Sequence, residues 1–171
     1  MLEVTVLIFL IKKIMERVLS DEQCANLITQ AEGQEWERVD RYGVYNQTFI
    51  SDTDILKTIQ NYFGKEFAEE PIFKVLKFNI GDYIPIFSAD YSNKKDQYYS
   101  RYINTNFIVQ TYLNSNFDGG VLSVGESKVE PKVGYGVTQN KTQKCSFSKV
   151  EKGIAYLLFV FIFKVKTTSL L

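Results

Sequence analysis

The chain has 171 residues, 20 basic and 20 acidic side chains, 45% hydrophobic residues and no histidine. Balanced charge gives no electrostatic support for nucleic-acid binding, and the lack of imidazole excludes any site that needs one. The apolar fraction is that of a globular chain and not a disordered one, and the length favours one domain over residues 1–171.

In chain order, Val4 to Ile14 predicts a first strand. Its apolar part, with Glu3 before and Lys12-Lys13 after, reverses the charge order of a signal peptide. That run and Ile154 to Phe163 are both too short to span a bilayer, so no membrane partner is expected. Ser20-Asp-Glu-Gln23 reads as a capping box. Behind it Cys24, Leu27, Ile28 and Ala31 make one apolar helical face, which Gly33 can end. A second helix begins near Asp52, carries Ile55, Leu56, Ile59 and Phe63, and stops at Gly64. From Phe73 onward the pattern is of strands: 73–80, 83–86, 107–113, 121–124, 133–137 and 155–165. Ser88 to Arg101 is a polar loop. Thirteen Phe and eleven Tyr suit such strands. Helices followed by short strands and Gly-rich turns predict an α+β chain, mainly β, folded as a sandwich or barrel. Cys24 and Cys145 lie far apart in sequence and read as thiols in a reducing compartment, which implies an intracellular, cytoplasmic protein.

Five segments belong together: Phe78-Asn-Ile-Gly81-Asp-Tyr-Ile-Pro85, Thr111-Tyr-Leu-Asn114, Phe117-Asp-Gly-Gly120, Pro131-Lys-Val-Gly134 and Val150-Glu-Lys-Gly153. In this order and spacing the chain resembles the prolyl 4-hydroxylase type of iron(II)/2-oxoglutarate-dependent oxygenase over residues 14–165. Val18 to Cys24 resembles the opening helix of that family. The resemblance implies a double-stranded β-helix, a jelly-roll barrel with helices packed outside near the N-terminus. It also implies Fe(II) held by two His and one carboxylate, with a basic residue for the distal carboxylate of 2-oxoglutarate.

Carried over position by position, the iron ligands fall on Phe87, Ala89 and Cys145, and the cosubstrate residues on Phe78 and Ala155. None matches the family's chemistry. Asp90 is a possible substitute ligand, but adjacent strand residues face opposite sides, so only a bulge would re-aim it. The expectation for this chain is therefore no iron or 2-oxoglutarate, no catalytic residue, and a hydrophobic barrel. The domain would then act as a binding or structural module, with Fe(II) and 2-oxoglutarate required only if the family's activity is retained. The alternative is an active or residual dioxygenase that hydroxylates a peptidyl-proline or another side chain. Phe87 and Cys145 also read simply as core packing, Asp82 and Asp118 as turn residues, and Arg101 as an exposed ion-pair partner. Tyr91, Tyr98, Tyr99, Arg101 and Tyr102 form the expected contact surface for an unidentified protein or peptide partner.

Overall fold

The computed structural model describes residues 15–88, 90 and 101–166, so the strand expected at 4–14 lies outside it. Two short helices form where the sequence signals them. In α1 (Asp21–Glu32) the capping box closes in both directions, with the Gln23 amide donating to Ser20 Oγ at 3.1 Å and the Ser20 amide to Gln23 Oε1 at 3.0 Å. In α2 (Thr53–Phe63) the Asp52 carboxylate accepts from the amides of Asp54 and Ile55, and Gly64 ends the helix at φ 65°. Each N-cap contributes about 1 kcal/mol by satisfying amides that the helix itself leaves orphaned.

The strands are β1 (Glu16–Arg17), β2 (Glu37–Val39), β3 (Tyr45–Ile50), β4 (Ile72–Phe78), β5 (Ile84–Ser88), β6 (Phe107–Tyr112) and β7 (Asp118–Gly119). They continue as β8 (Leu122–Val124), β9 (Ser127–Val129), β10 (Tyr135–Asn140), β11 (Lys144–Phe147), β12 (Val150–Lys152) and β13 (Ala155–Ile162). Seven of them form a major sheet, in the order β1-β10-β6-β13-β4-β3-β2. Four form a facing minor sheet, β5-β11-β8-β9, and β7 pairs with β12. All pairings are antiparallel.

The major sheet is buried on both faces, which explains why β13 reads as a continuous apolar run. Leu157, Phe159 and Phe161 point between the sheets, whereas Leu158, Val160 and Ile162 pack with Leu27, Ala31, Ile55 and Ile59 of the helices. Full burial of each such side chain stabilises the fold by roughly 1.5–3 kcal/mol.

The sequence pattern misses β2 and β3. In β3 the inward positions alternate from Tyr45 to Gln47, and this buried amide breaks the apolar alternation that marks a strand. Strands β9, β11 and β12 are too short to stand out from turns by pattern. Asp118, expected in a turn, lies in β7. Asp82 does occupy a turn, where it accepts the Asn79 amide and a two-pronged ion pair from Arg38, both contacts at 2.7 Å. That buried carboxylate ties the β2 edge to the β4–β5 turn.

A buried phenol links the two sheets directly. Tyr112 on β6 donates its hydroxyl to the Val129 carbonyl at 2.7 Å and accepts from the Leu122 amide at 2.8 Å. Tyr112→Phe is expected to leave two buried backbone groups without partners and to lower stability by about 2–3 kcal/mol. Urea unfolding checks this, and a loss below about 0.5 kcal/mol would show that water reaches the link.

Candidate functional site

The barrel interior gathers the positions singled out in the sequence. Phe87 on β5 and Cys145 on β11 are direct cross-strand partners, so their side chains share a face. Ala155 on β13 and Phe78 on β4 are likewise partners. Phe78, Cys145 and Ala155 belong to the cluster between the sheets, and half-buried Phe87 packs against it.

A β-bulge sets which residue of β5 faces inward. Between Phe147↔Ile84 and Cys145↔Phe87, β5 carries one more residue than β11. The extra residue falls at Pro85-Ile86, both exposed, and Pro85 has no amide to lose from the ladder. Simple alternation from Ile84 would aim Ile86 inward, but the bulge leaves Ile86 72% exposed and brings Phe87 to the core. Asp90 lies beyond the end of β5, past the bulge that would have had to re-aim it. Ala89, Tyr91, Tyr98 and Tyr99 lie outside the described residues.

Cys145 is held as a thiol. Its Sγ donates to Gln110 Oε1 at 3.3 Å, and burial pushes its pKa up to about 12. Gln110 in turn donates to Gln139 Oε1 at 2.7 Å, and Gln139 donates to the Gln143 carbonyl at 2.9 Å. The ring of Phe78 lies 4.4 Å from that of Phe147, and Ala155 beside it carries no charge. A ferrous ion needs lone pairs from deprotonated or neutral donors. Phe87 has none, and the Cys145 proton is committed to an amide oxygen. A dicarboxylate would find no cation at Ala155. These residues do not fit iron or 2-oxoglutarate, and among the described residues no group of three acidic, Cys or His side chains could hold a metal.

One expectation for the contact surface is corrected. Tyr102 is only 2% exposed and is a core residue, with its ring 4.5 Å from that of Phe161. Its aromatic body is fully enclosed because the turn ahead of β6 folds it between the sheets. Arg101 is exposed, as expected, and lies over the Phe49 ring at 4.9 Å.

Among the interior groups that sequence reasoning missed is Lys74. It sits on β4 in phase with Leu76 and Phe78, so alternation alone aims it inward. Its Nζ donates to Gln47 Oε1 at 3.1 Å and lies 3.5 Å from the Tyr102 hydroxyl. The rings of Tyr102 and Phe161 stand 5.1 Å away and that of Tyr45 5.8 Å. Desolvation, helped by the charge of Arg101 and opposed by that of Glu37, lowers its pKa to about 7. Lys77, one pleat position out of phase, faces the other way and pairs with Glu32 at 2.6 Å.

Two facing antiparallel sheets in this strand order define a double-stranded β-helix. Among solved structures, this fold is shared with the prolyl 4-hydroxylases and the 2OG-Fe(II) oxygenase family. The chain is similar to the viral collagen prolyl hydroxylase of Paramecium bursaria Chlorella virus-1, solved as a 2OG complex, with a TM-score of 0.63 and 18% identity over 88% of this chain and 96% of that one. It is similar to a Pseudomonas putida prolyl-4-hydroxylase with a TM-score of 0.67 and 13% identity, over 88% of this chain and 91% of that one. A 2OG-Fe(II) oxygenase family oxidoreductase from Burkholderia pseudomallei gives 0.62 and 14%, over 84% and 80%. No family model and no curated protein matches the sequence. No helix among the described residues is long and apolar enough to cross a membrane.

Proposed function

We propose that this chain is a prolyl-4-hydroxylase-like barrel that works without iron and 2-oxoglutarate, as a binding or structural module. The observation that carries this reading is the Phe87–Cys145 pair. The place where the resemblance calls for two iron ligands holds an aromatic ring and a buried thiol bonded to Gln110. Deprotonating that thiol at neutral pH would oppose a shift to about 12. Apolar side chains there stabilise the barrel, since an empty cluster of buried charges would be costly. The partner in this reading is a protein or peptide docking near Arg101 and the tyrosines that precede it in sequence.

Thermal unfolding with Mn(II) and 2-oxoglutarate, singly and together, tests the reading. A ligand bound only by the folded state stabilises it by about 2.7 kcal/mol at a hundred times its Kd. The expected result is an unchanged Tm at millimolar concentrations of both. A cooperative rise would overturn the reading in favour of a residual dioxygenase, with Cys145 and Asp90 as the first ligands to replace.

A further inference from the structure

We propose that the groove at the end of the β3–β4 ladder binds a peptide that carries an apolar side chain next to a basic one. The inference rests on the reading of the chain as a binding module and names the chemistry of its partner. Ile50 on β3 stands opposite Phe73 on β4, and this is the last pair of their ladder. Beyond it the chain turns from Ile50 into the Asp52 cap of α2, while β4 is entered from Glu70 and Pro71. A groove of about 240 Å³ lies here, walled by Phe49, Ile50, Leu56, Pro71 and Ile72. Small-molecule pockets usually measure roughly 300–1,000 Å³, so this one suits a single aliphatic side chain of a longer ligand. Phe49 is 37% exposed and gives that side chain an apolar wall to cover. Past Asp52 the surface continues as a polar trough of about 410 Å³, lined by Gln23, Asn26, Thr29, Gln30 and Asp54. An extended segment can lie across both.

Charge selects the occupant. Asp52 and Glu70 line the groove, Asp52 and Asp54 line the trough, and neither wall contains a Lys or Arg. Asp52 is largely committed, because its carboxylate accepts from the amides of Asp54 and Ile55 and from Gln30 Nε2 at 2.8 Å. The Asp54 carboxylate receives only a long contact of 3.5 Å from Gln23 Nε2, and Glu70 is exposed. Neither pairs with a cation among the described residues. These two carboxylates are the available acceptors for a guanidinium or ammonium group. Phe49 sits one residue further into the sheet than Ile50, and the Arg101 guanidinium lies over its ring. A cation on the partner is therefore repelled from the Phe49 end and drawn toward Asp54 and Glu70, which sets the direction of the bound segment.

The test records amide correlation NMR spectra of the full chain with the peptide acetyl-Gly-Leu-Arg-Lys-Gly-amide at up to millimolar concentration. The amides of Ser51 to Leu56 and of Glu70, Ile72 and Phe73 are expected to shift saturably. Replacing Arg-Lys in the peptide by Glu-Glu, or Leu by Ser, should each weaken binding several-fold. Asp54→Asn combined with Glu70→Gln changes two exposed side chains, so the fold is kept, and Kd should rise about threefold to tenfold. Equal shifts with the acidic peptide, or an unchanged Kd in the double variant, would overturn the proposal. Shifts of the same amides on concentrating the protein alone would overturn it too, by placing a second copy in the groove. No shift with any peptide, alongside a Tm that Mn(II) and 2-oxoglutarate leave unchanged, would overturn the groove assignment and leave the binding-module reading standing. A rise in Tm with those two ligands would overturn that reading itself.

Discussion

Lys74→Met is expected to stabilise the protein, and to do so most below neutral pH. The amine has a pKa of about 7 in the folded chain and about 10.4 when unfolded. Between these values the unfolded chain binds more protons, so the stability of the native protein rises with pH across that window. Below about pH 7 the native protein bears the full cost of this site, on the order of 4 kcal/mol. Above about pH 10.4 that cost is gone. Among the described residues, the charged and titratable groups that face Nζ are Arg101, Glu37 beyond Gln47, and the phenols of Tyr45 and Tyr102. Methionine removes the buried amine but leaves Gln47 Oε1 short of a donor, an offset of about 1 kcal/mol. The net gain at pH 6 is therefore about 3 kcal/mol, or roughly 6–12 °C in Tm for a chain of this size, shrinking toward zero by pH 10. A difference independent of pH would mean that Lys74 stays charged and paired in the native state.

Gly134→Ala is expected to cost at least about 3 kcal/mol. Gly134 has φ 79°, and a Cβ there would lie 2.2 Å from the backbone oxygen of Leu19. The contact is with main chain, so no side chain can rotate away. The Gly134 amide donates to the Tyr112 carbonyl at 2.9 Å, and its own carbonyl accepts from the amides of Val18 and Leu19. The residue therefore clamps the segment ahead of α1 against β6. Loss of the clamp should appear as a lower urea midpoint, with early exposure of Cys24 to thiol reagents. A change under about 1 kcal/mol would mean that the Leu19 backbone yields easily.

Much of this architecture is legible in the sequence because local signals and burial agree. The Ser20 capping box, the Asp52 start and Gly64 stop of α2, and the unbroken apolar run of β13 are all present as read. The family resemblance also brings Phe78 beside Ala155 and Phe87 beside Cys145, pairs separated by many residues. Other features depend on tertiary placement. The inward aim of Phe87 rests on a bulge at Pro85-Ile86 that period-two alternation does not supply. Tyr102 looks like surface because it follows a polar loop, yet it closes the core. Lys74, Gln47, Gln110 and Gln139 look solvent-facing by residue type. Only their phase with apolar neighbours marks them as interior, and a buried polar layer hides strands that an apolar one would reveal.

The place of β13 in the major sheet also governs how the chain can fold. Among the described residues it follows every other strand in sequence, yet it lies between β4 and β6, pairing along Ala155–Phe161 with Ile72–Phe78 and along Leu157–Ile162 with Phe107–Tyr112. On a ribosome, β4 and β6 must wait as unpaired apolar edges until this last strand emerges. Contacts so distant in sequence form slowly, and waiting edges invite association with other chains. The most protected strand of the finished protein is thus the one whose late arrival leaves the nascent chain most in need of a chaperone.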